Sequence, residues 1–299
     1  MSQAQDRPSS FKAASQIKKS RATKADMEVR AEFLITYAKA HGPVTVRGLY
    51  YQAEVAGIPG IDKSEDGYNK VQELVLELRR SGRLPYELIA DEGRFLRCPQ
   101  TYDGWQSAIQ ETADTYLKAL WVQSPVVIQF WLEKSALTGV LAPITFRYDV
   151  GLMATSGYAS ETCAYEQIKS LEGSGQSLIV YTLYDFDRSG RDAEKSLREK
   201  LERFGMAFGI PVEVKTLGLT LEQVIELELP TREPKRNTAA DLRWPHDFAA
   251  ELDAIPPDTL RSMVRSAIER HMSPEEFQRL KLEERAERAK LLRLAEGSA

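Results

Sequence analysis

Thiols and imidazoles are scarce in this chain. Its 299 residues include two cysteines, Cys98 and Cys163, and three histidines, His41, His246 and His271. Two cysteines outside any C-x-x-C pair cannot form a disulfide framework. Histidines scattered singly argue against a structural zinc site and against a catalytic centre built on several imidazoles. Long hydrophobic runs are also missing. The longest, Val126 to Leu132, is broken by Gln129 and falls far short of the roughly 20 residues a membrane helix needs. Met1 to Lys19 is polar and basic with no apolar core, so it does not read as a secretory signal, and the chain reads as cytosolic. With 18 glycines and 14 prolines, the sequence is far from collagenous or low-complexity composition. It has no internal repeat and no G-x-x-x-x-G-K-[ST] phosphate loop.

What is present is globular: 42% hydrophobic and 28% charged residues, and enough length for two domains. The net charge of −4 is unevenly spread. Residues 1–50 hold nine Lys and Arg against four acids, so a basic end is joined to an acidic body. Such an end can meet a polyanion, or it can be a solvated leader.

The pattern divides the chain into a basic arm over 1–24, a helical module over 25–103, a linking helix over 104–124, an α/β domain over 125–272 and a charged terminal helix over 273–299. Helices are expected over Asp26–Ala40 with Asp26 as cap, Val46–Ala56 capped by Thr45, and Tyr68–Ser81. The extended segment Arg83–Asp91 follows. Three small helices and an extended piece outline a winged helix-turn-helix. From Pro125 on, strands over 126–132, 151–155, 178–184 and 211–217 alternate with helices. That alternation predicts a mostly parallel sheet covered on both faces.

Ligands of such sheets bind beyond the carboxyl ends of the strands. Two of those ends carry acids: Glu133 after the first strand, and Asp185 and Asp187 in Tyr184-Asp185-Phe186-Asp187-Arg188-Ser189-Gly190. Three converging carboxylates without nitrogen or sulfur donors make a hard oxygen site suited to Mg²⁺. Gly190 lets the backbone turn into the helix that begins at Arg191. The competing assignment has Asp187 capping that helix and Glu133 paired with Lys134 or Arg188. In the second helix, Val46, Leu49, Tyr50 and Ala53 form the core face, while Tyr51 lies off it in one exposed stripe with Arg47, four residues away. An arginine fork beside a tyrosine can clamp a phosphodiester and bring a phenol oxygen to phosphorus. Alternatively, Tyr51 packs on the arm or on the other domain. Lys70, Arg79 and Arg80 on the third helix are candidate DNA-phosphate contacts alongside the arm.

Val46-Arg47-Gly48-Leu49-Tyr50-Tyr51 resembles the tyrosine motif of topoisomerase VI A subunits and the related meiotic double-strand-break transesterase. Glu133 with Asp185-Phe186-Asp187 resembles the Toprim domain that follows in that family, and Glu251-Leu252-Asp253-Ala254-Ile255-Pro256-Pro257 resembles a later segment of it. The resemblance covers residues 30–270. It implies an N-terminal winged-helix domain followed by a Toprim domain, with Tyr51 as nucleophile, Arg47 stabilising phosphate, and Glu133, Asp185 and Asp187 holding Mg²⁺. It further implies transesterification of double-stranded DNA, a homodimer in which one subunit's tyrosine works with the other's metal site, a nucleoid-associated location, and an ATPase partner for strand passage. Gly48 departs from the motif, which has an acid there. Two other functions compete with transesterification: a Toprim nuclease using metal-activated water, and a non-catalytic DNA-binding subunit of a larger complex.

Overall fold

The computed structural model describes residues 23–90 and 99–297. The N-terminal unit is three helices, α1 (Lys24–His41), α2 (Val46–Val55) and α3 (Glu65–Arg80). Each starts where a hydroxyl caps the first turn: the side chains of Thr23, Thr45 and Ser64 accept from the backbone N–H of Asp26, Gly48 and Gly67. Asp26 is therefore not the cap of α1. It is the third helical residue and closes a capping box with Thr23. The α3 helix begins three residues before Tyr68, because Glu65 and Asp66 suit the positive end of the helix ahead of the apolar stripe. Leu34 and Ala38, Leu49 and Tyr50, and Val71, Leu74 and Leu78 close one core. After α3 the chain is less extended than expected. It makes a 3₁₀ turn over Tyr86–Leu88 and a single bridge between Ile89 and Val44. No hairpin follows α3 among the described residues, and both Asp91 and arm residues 1–22 lie outside them.

The rest of the chain is α/β. A short helix, α4 (Trp105–Thr115), precedes four parallel strands: β1 (Val126–Leu132), β2 (Gly151–Ala154), β3 (Ser177–Leu183) and β4 (Val212–Gly218), in spatial order β2-β1-β3-β4. Between and after them run α5 (Thr138–Arg147), α6 (Glu161–Lys169), α7 (Arg188–Phe208), α8 (Leu221–Glu226), α9 (Pro257–Glu269) and α10 (Pro274–Ala295). Strand side chains alternate between faces. Phe130, Leu132, Tyr181 and Leu183 therefore meet a core with Val140 of α5, Val264 of α9 and Phe277 of α10. Trp131, Leu178 and Val180 meet Ile168 of α6 and Leu197 of α7 on the other side.

The linking helix stops at Thr115, well short of residue 124. Beyond it the backbone lies along α10, where Glu284 accepts from Lys118 N–H at 3.0 Å and Arg288 donates to the Tyr116 carbonyl at 2.7 Å. Those partners satisfy backbone groups that a further helical turn would otherwise have paired. Arg261 of α9 joins the two units by donating to the carbonyls of His41 at 2.8 Å and Pro43 at 2.7 Å. Among the described residues no helix is long and apolar enough to cross a membrane.

Tyr50 is buried in the helical core, and its hydroxyl donates to the Asp62 carbonyl at 3.0 Å. Tyr50→Ala is expected to cost about 3–5 kcal/mol, as large aromatic truncations do. Urea unfolding checks this; a loss below about 1 kcal/mol would contradict the packing.

Candidate active site

β1 and β3 pair in register up to Leu132 opposite Leu183, so Glu133 and Asp185 emerge side by side. Glu133 Oε2 accepts from Asp185 N–H at 3.1 Å. Phe186 then bridges to Ala250, which brings Leu252 N–H onto Asp185 Oδ1 at 2.8 Å. Arg232, bridged to Ala249, donates to Asp187 Oδ2 at 2.7 Å. The other oxygen of Asp187 caps α7, accepting from Gly190 N–H at 2.8 Å. Gly190 is thus inside the helix and not a hinge before it. A Cβ there would stand 2.4 Å from the Asp185 carbonyl oxygen, so this turn closes only around glycine.

The acids do gather at one sheet edge, and Asp187 is also a helix cap, as the competing assignment had it. Glu133, however, forms no ion pair with Lys134 or Arg188 among the described residues. Arg188 goes to Asp192 and Asp241. The Lys134 ammonium turns inward to Asp185 at 3.1 Å, Glu251 at 2.8 Å and Asp253 at 3.0 Å. Burial alone would lower its pKa, but Asp253, Asp185 and Glu251 hold it charged, well above the usual lysine range. Glu251 also accepts from Arg47 Nη1 on both oxygens, at 2.8 and 2.7 Å, and lies 3.5 Å from Arg232 Nε. Burial would raise the Glu251 carboxyl; Lys134 and Arg47 instead hold it down at about 2.

Tyr51 lies off the core face of α2, but it is half-buried and not exposed, because the second unit covers it and its ring packs against both cores. Its hydroxyl makes no hydrogen bond among the described residues. Burial, then the negative charge of Glu251, push its pKa well above the tyrosine range, against the pull of Lys134 and Arg47. Tyr51 and Arg47 line a cavity of about 850 Å³ together with Arg232. Glu133 and Lys134 line a second cavity of about 520 Å³, and Arg47 and Tyr68 border both. Arg47 is held over the Tyr68 ring at 4.7 Å. The structure therefore places Arg47 with each half of the site, while Tyr51 and Glu133 open into different cavities.

Gly48 has a packing reason to be glycine. A Cβ would press on Thr45 Oγ1 at 3.1 Å, and that oxygen both caps α2 and donates to Asp253 at 2.7 Å. Lys70, Arg79 and Arg80 do not form one face. Lys70 and Arg79 are nine residues apart, about two and a half helical turns, and so point to opposite sides. Lys70 donates to the Gly60 carbonyl at 3.1 Å, Arg79 lines the smaller cavity, and Arg80 is exposed.

Among the described residues no group of three or more His, Cys, Asp or Glu side chains is arranged to hold a metal ion by itself. Mg²⁺ commonly takes only one or two carboxylates and keeps waters or phosphate oxygens. Glu133 and Asp185 fit that pattern. Glu133 Oε1 has no hydrogen bond among the described residues. Burial and then the facing Asp185 raise the Glu133 pKa, and burial, partly offset by Lys134, raises that of Asp185. A cation between them would relieve both. Asp187 gives one oxygen to the cap of α7 and the other to Arg232, and suits an orienting role better; Asp185 has Oδ1 on the Leu252 N–H and shares Oδ2 with Lys134, so a cation there would compete with that ammonium.

Lys134, Glu251, Asp253 and Arg232 were not among the site residues the sequence pointed to. The only signals were the position of Lys134 beside Glu133 and the acids of the Glu251–Pro257 segment. Glu251 has its pKa lowered by folding, so its stabilisation is complete above about pH 4.5 and is lost as pH falls toward 2. Glu251→Gln should remove that acid dependence, worth up to about 3 kcal/mol, and should lower stability at neutral pH by leaving Lys134 short of a partner. Unfolding midpoints between pH 2 and 7 measure both effects.

Compared with protein-family models and with curated protein sequences, the chain matches none.

Proposed function

We propose that the chain binds double-stranded DNA and cleaves it with Mg²⁺ by tyrosine transesterification, in the manner of a topoisomerase VI A subunit. The observation that carries this reading is the double attachment of Arg47. Its guanidinium is anchored through Glu251 to the acid-bearing strand ends, and on the same helix Tyr51 presents a hydroxyl with no hydrogen bond among the described residues. The three N-terminal helices support a winged-helix DNA-binding role. A four-stranded parallel sheet with acids at its carboxyl edge supports a Toprim role.

In the reaction Tyr51 Oη bonds to phosphorus and the phenol proton leaves to water. The ester bond to one deoxyribose oxygen breaks, and that oxygen departs as a hydroxyl. Arg47 clamps a phosphate oxygen. Mg²⁺ on Glu133 and Asp185 would neutralise charge on the phosphate when bound. Because Tyr51 and Glu133 open into different cavities, the site is best completed by a second copy of the chain, each tyrosine serving the other's acids. Strand passage would require an ATPase partner in trans, and the location that fits is the nucleoid.

Supercoiled plasmid incubated with the protein and Mg²⁺, then denatured, should yield protein covalently attached to DNA ends. Tyr51→Phe should abolish the adduct. It should change stability by no more than about 0.5 kcal/mol, because the hydroxyl it removes is unbonded. Because the folded environment raises the Tyr51 pKa, the parent's adduct rate should climb roughly tenfold per pH unit from 7 to 9. Cleavage that survives Tyr51→Phe would transfer the chemistry to metal-activated water, which the separation of Tyr51 from Glu133 also permits. No cleavage by either protein would leave a DNA-binding subunit.

Asp185→Asn should weaken Mg²⁺ binding while leaving the fold intact. Calorimetry showing unchanged affinity would remove Asp185 from the metal site.

A further inference from the structure

We propose that the smaller cavity, between α3 and the strand ends, is a nucleotide-sized phosphate pocket whose anion is held by Arg79. Its volume of about 520 Å³ falls in the roughly 300–1,000 Å³ range of small-molecule sites. Three cations border it, and two already have acid partners: Lys134 meets three carboxylates, and Arg47 meets Glu251 through Nη1 alone, which leaves its other donors for phosphate. Arg79 forms no ion pair among the described residues. Its guanidinium is fixed over the Tyr86 ring at 4.2 Å, and its Nε is buried without a hydrogen-bond partner. That Nε is closed off from the cavity, so an oxyanion there would be met by the terminal guanidinium nitrogens, which make no hydrogen bond among the described residues. Stacking also pre-orients the planar fork, the geometry that suits two phosphate oxygens. Ser135 and Ser156 also line the cavity, and their hydroxyls are further donors.

Glu133 also lines the cavity and would repel an anion, so the pocket should bind best with a divalent cation present. The same phosphate chemistry could come from a free nucleotide or from a phosphate of a DNA strand. The inference deepens the DNA-cleaving reading but rests on it only for that choice of source, since the pocket does not involve Tyr51.

Calorimetry of the full chain with thymidine 5′-monophosphate and with inorganic phosphate, each with and without Mg²⁺, tests it. The parent should bind the nucleotide, and Arg79→Gln should weaken binding at least tenfold with the thermal midpoint preserved. Gln72→Glu places a carboxylate at an exposed position of the lining and should weaken binding as well, which covers the case of an unfolded Arg79 variant. A parent that takes up neither probe, or variants that bind like the parent, would overturn the pocket. Duplex DNA displacing the nucleotide assigns the pocket to the DNA backbone; simultaneous binding assigns it to a free nucleotide. A parent that binds nucleotide yet never forms a covalent adduct keeps the pocket and removes the tyrosine mechanism.

Discussion

One buried carboxylate, Glu251, joins three cations from three parts of the chain: Arg47 on α2, Lys134 after β1 and Arg232 in the segment that follows α8. The candidate site depends on this junction. Charges removed from water are tolerated only when they are paired and hydrogen-bonded, and deleting one member of such a set leaves the others costly. The network therefore acts as a geometric lock. It sets the N-terminal helices against the strand ends, covers Tyr51 with the second unit, and fixes the guanidinium that borders both cavities. The seams around it are ordinary by comparison, with Thr45 donating to Asp253 and Arg261 donating to two carbonyls.

The electrostatics of the junction set the resting state of each reactive group. Tyr51 sits in a half-dry environment beside a firmly ionised Glu251, so its phenol keeps its proton in the free protein. Glu133 and Asp185 face one another with a single ammonium nearby, and that ammonium is shared with two further acids. Added positive charge beside Glu133 and Asp185 would relieve the burial that raises both of their pKa values. The physical cause is the same in each case: low polarisability around groups whose charges are only partly matched.

Much of the scaffold is legible in single residues. Val126–Leu132 reads as a buried strand because a run of β-branched and aromatic residues fits a pleated surface covered on both faces, and β1 has those bounds. Thr45 before Val46 reads as a cap because its hydroxyl can reach the N–H of the third helical residue, and it does. The expected end of α4 was wrong because helical composition continues past Thr115 while α10 supplies competing partners for the backbone. The sequence reading placed no helix over residues 257–269, where α9 lies; Pro257 occupies its first turn, where a missing N–H costs nothing.

The sequence by itself determined the order of the strands and of most helices, the parallel α/β class, the separation of Tyr50 inward from Tyr51 off the core face, and the presence of Glu133, Asp185 and Asp187 at strand ends. These follow from periodicities of 2 and 3.6 and from short-range capping, which are local properties of the chain. Tertiary structure alone decided that Lys134 turns into the acids, that Arg232 and Glu251 return to the strand ends through bridges at Ala249 and Ala250, and that Arg79 lines a cavity while Lys70 turns away. Each of those outcomes is a choice of partner across many residues, and an isolated lysine, arginine or glutamate carries no local mark of the charge it will meet.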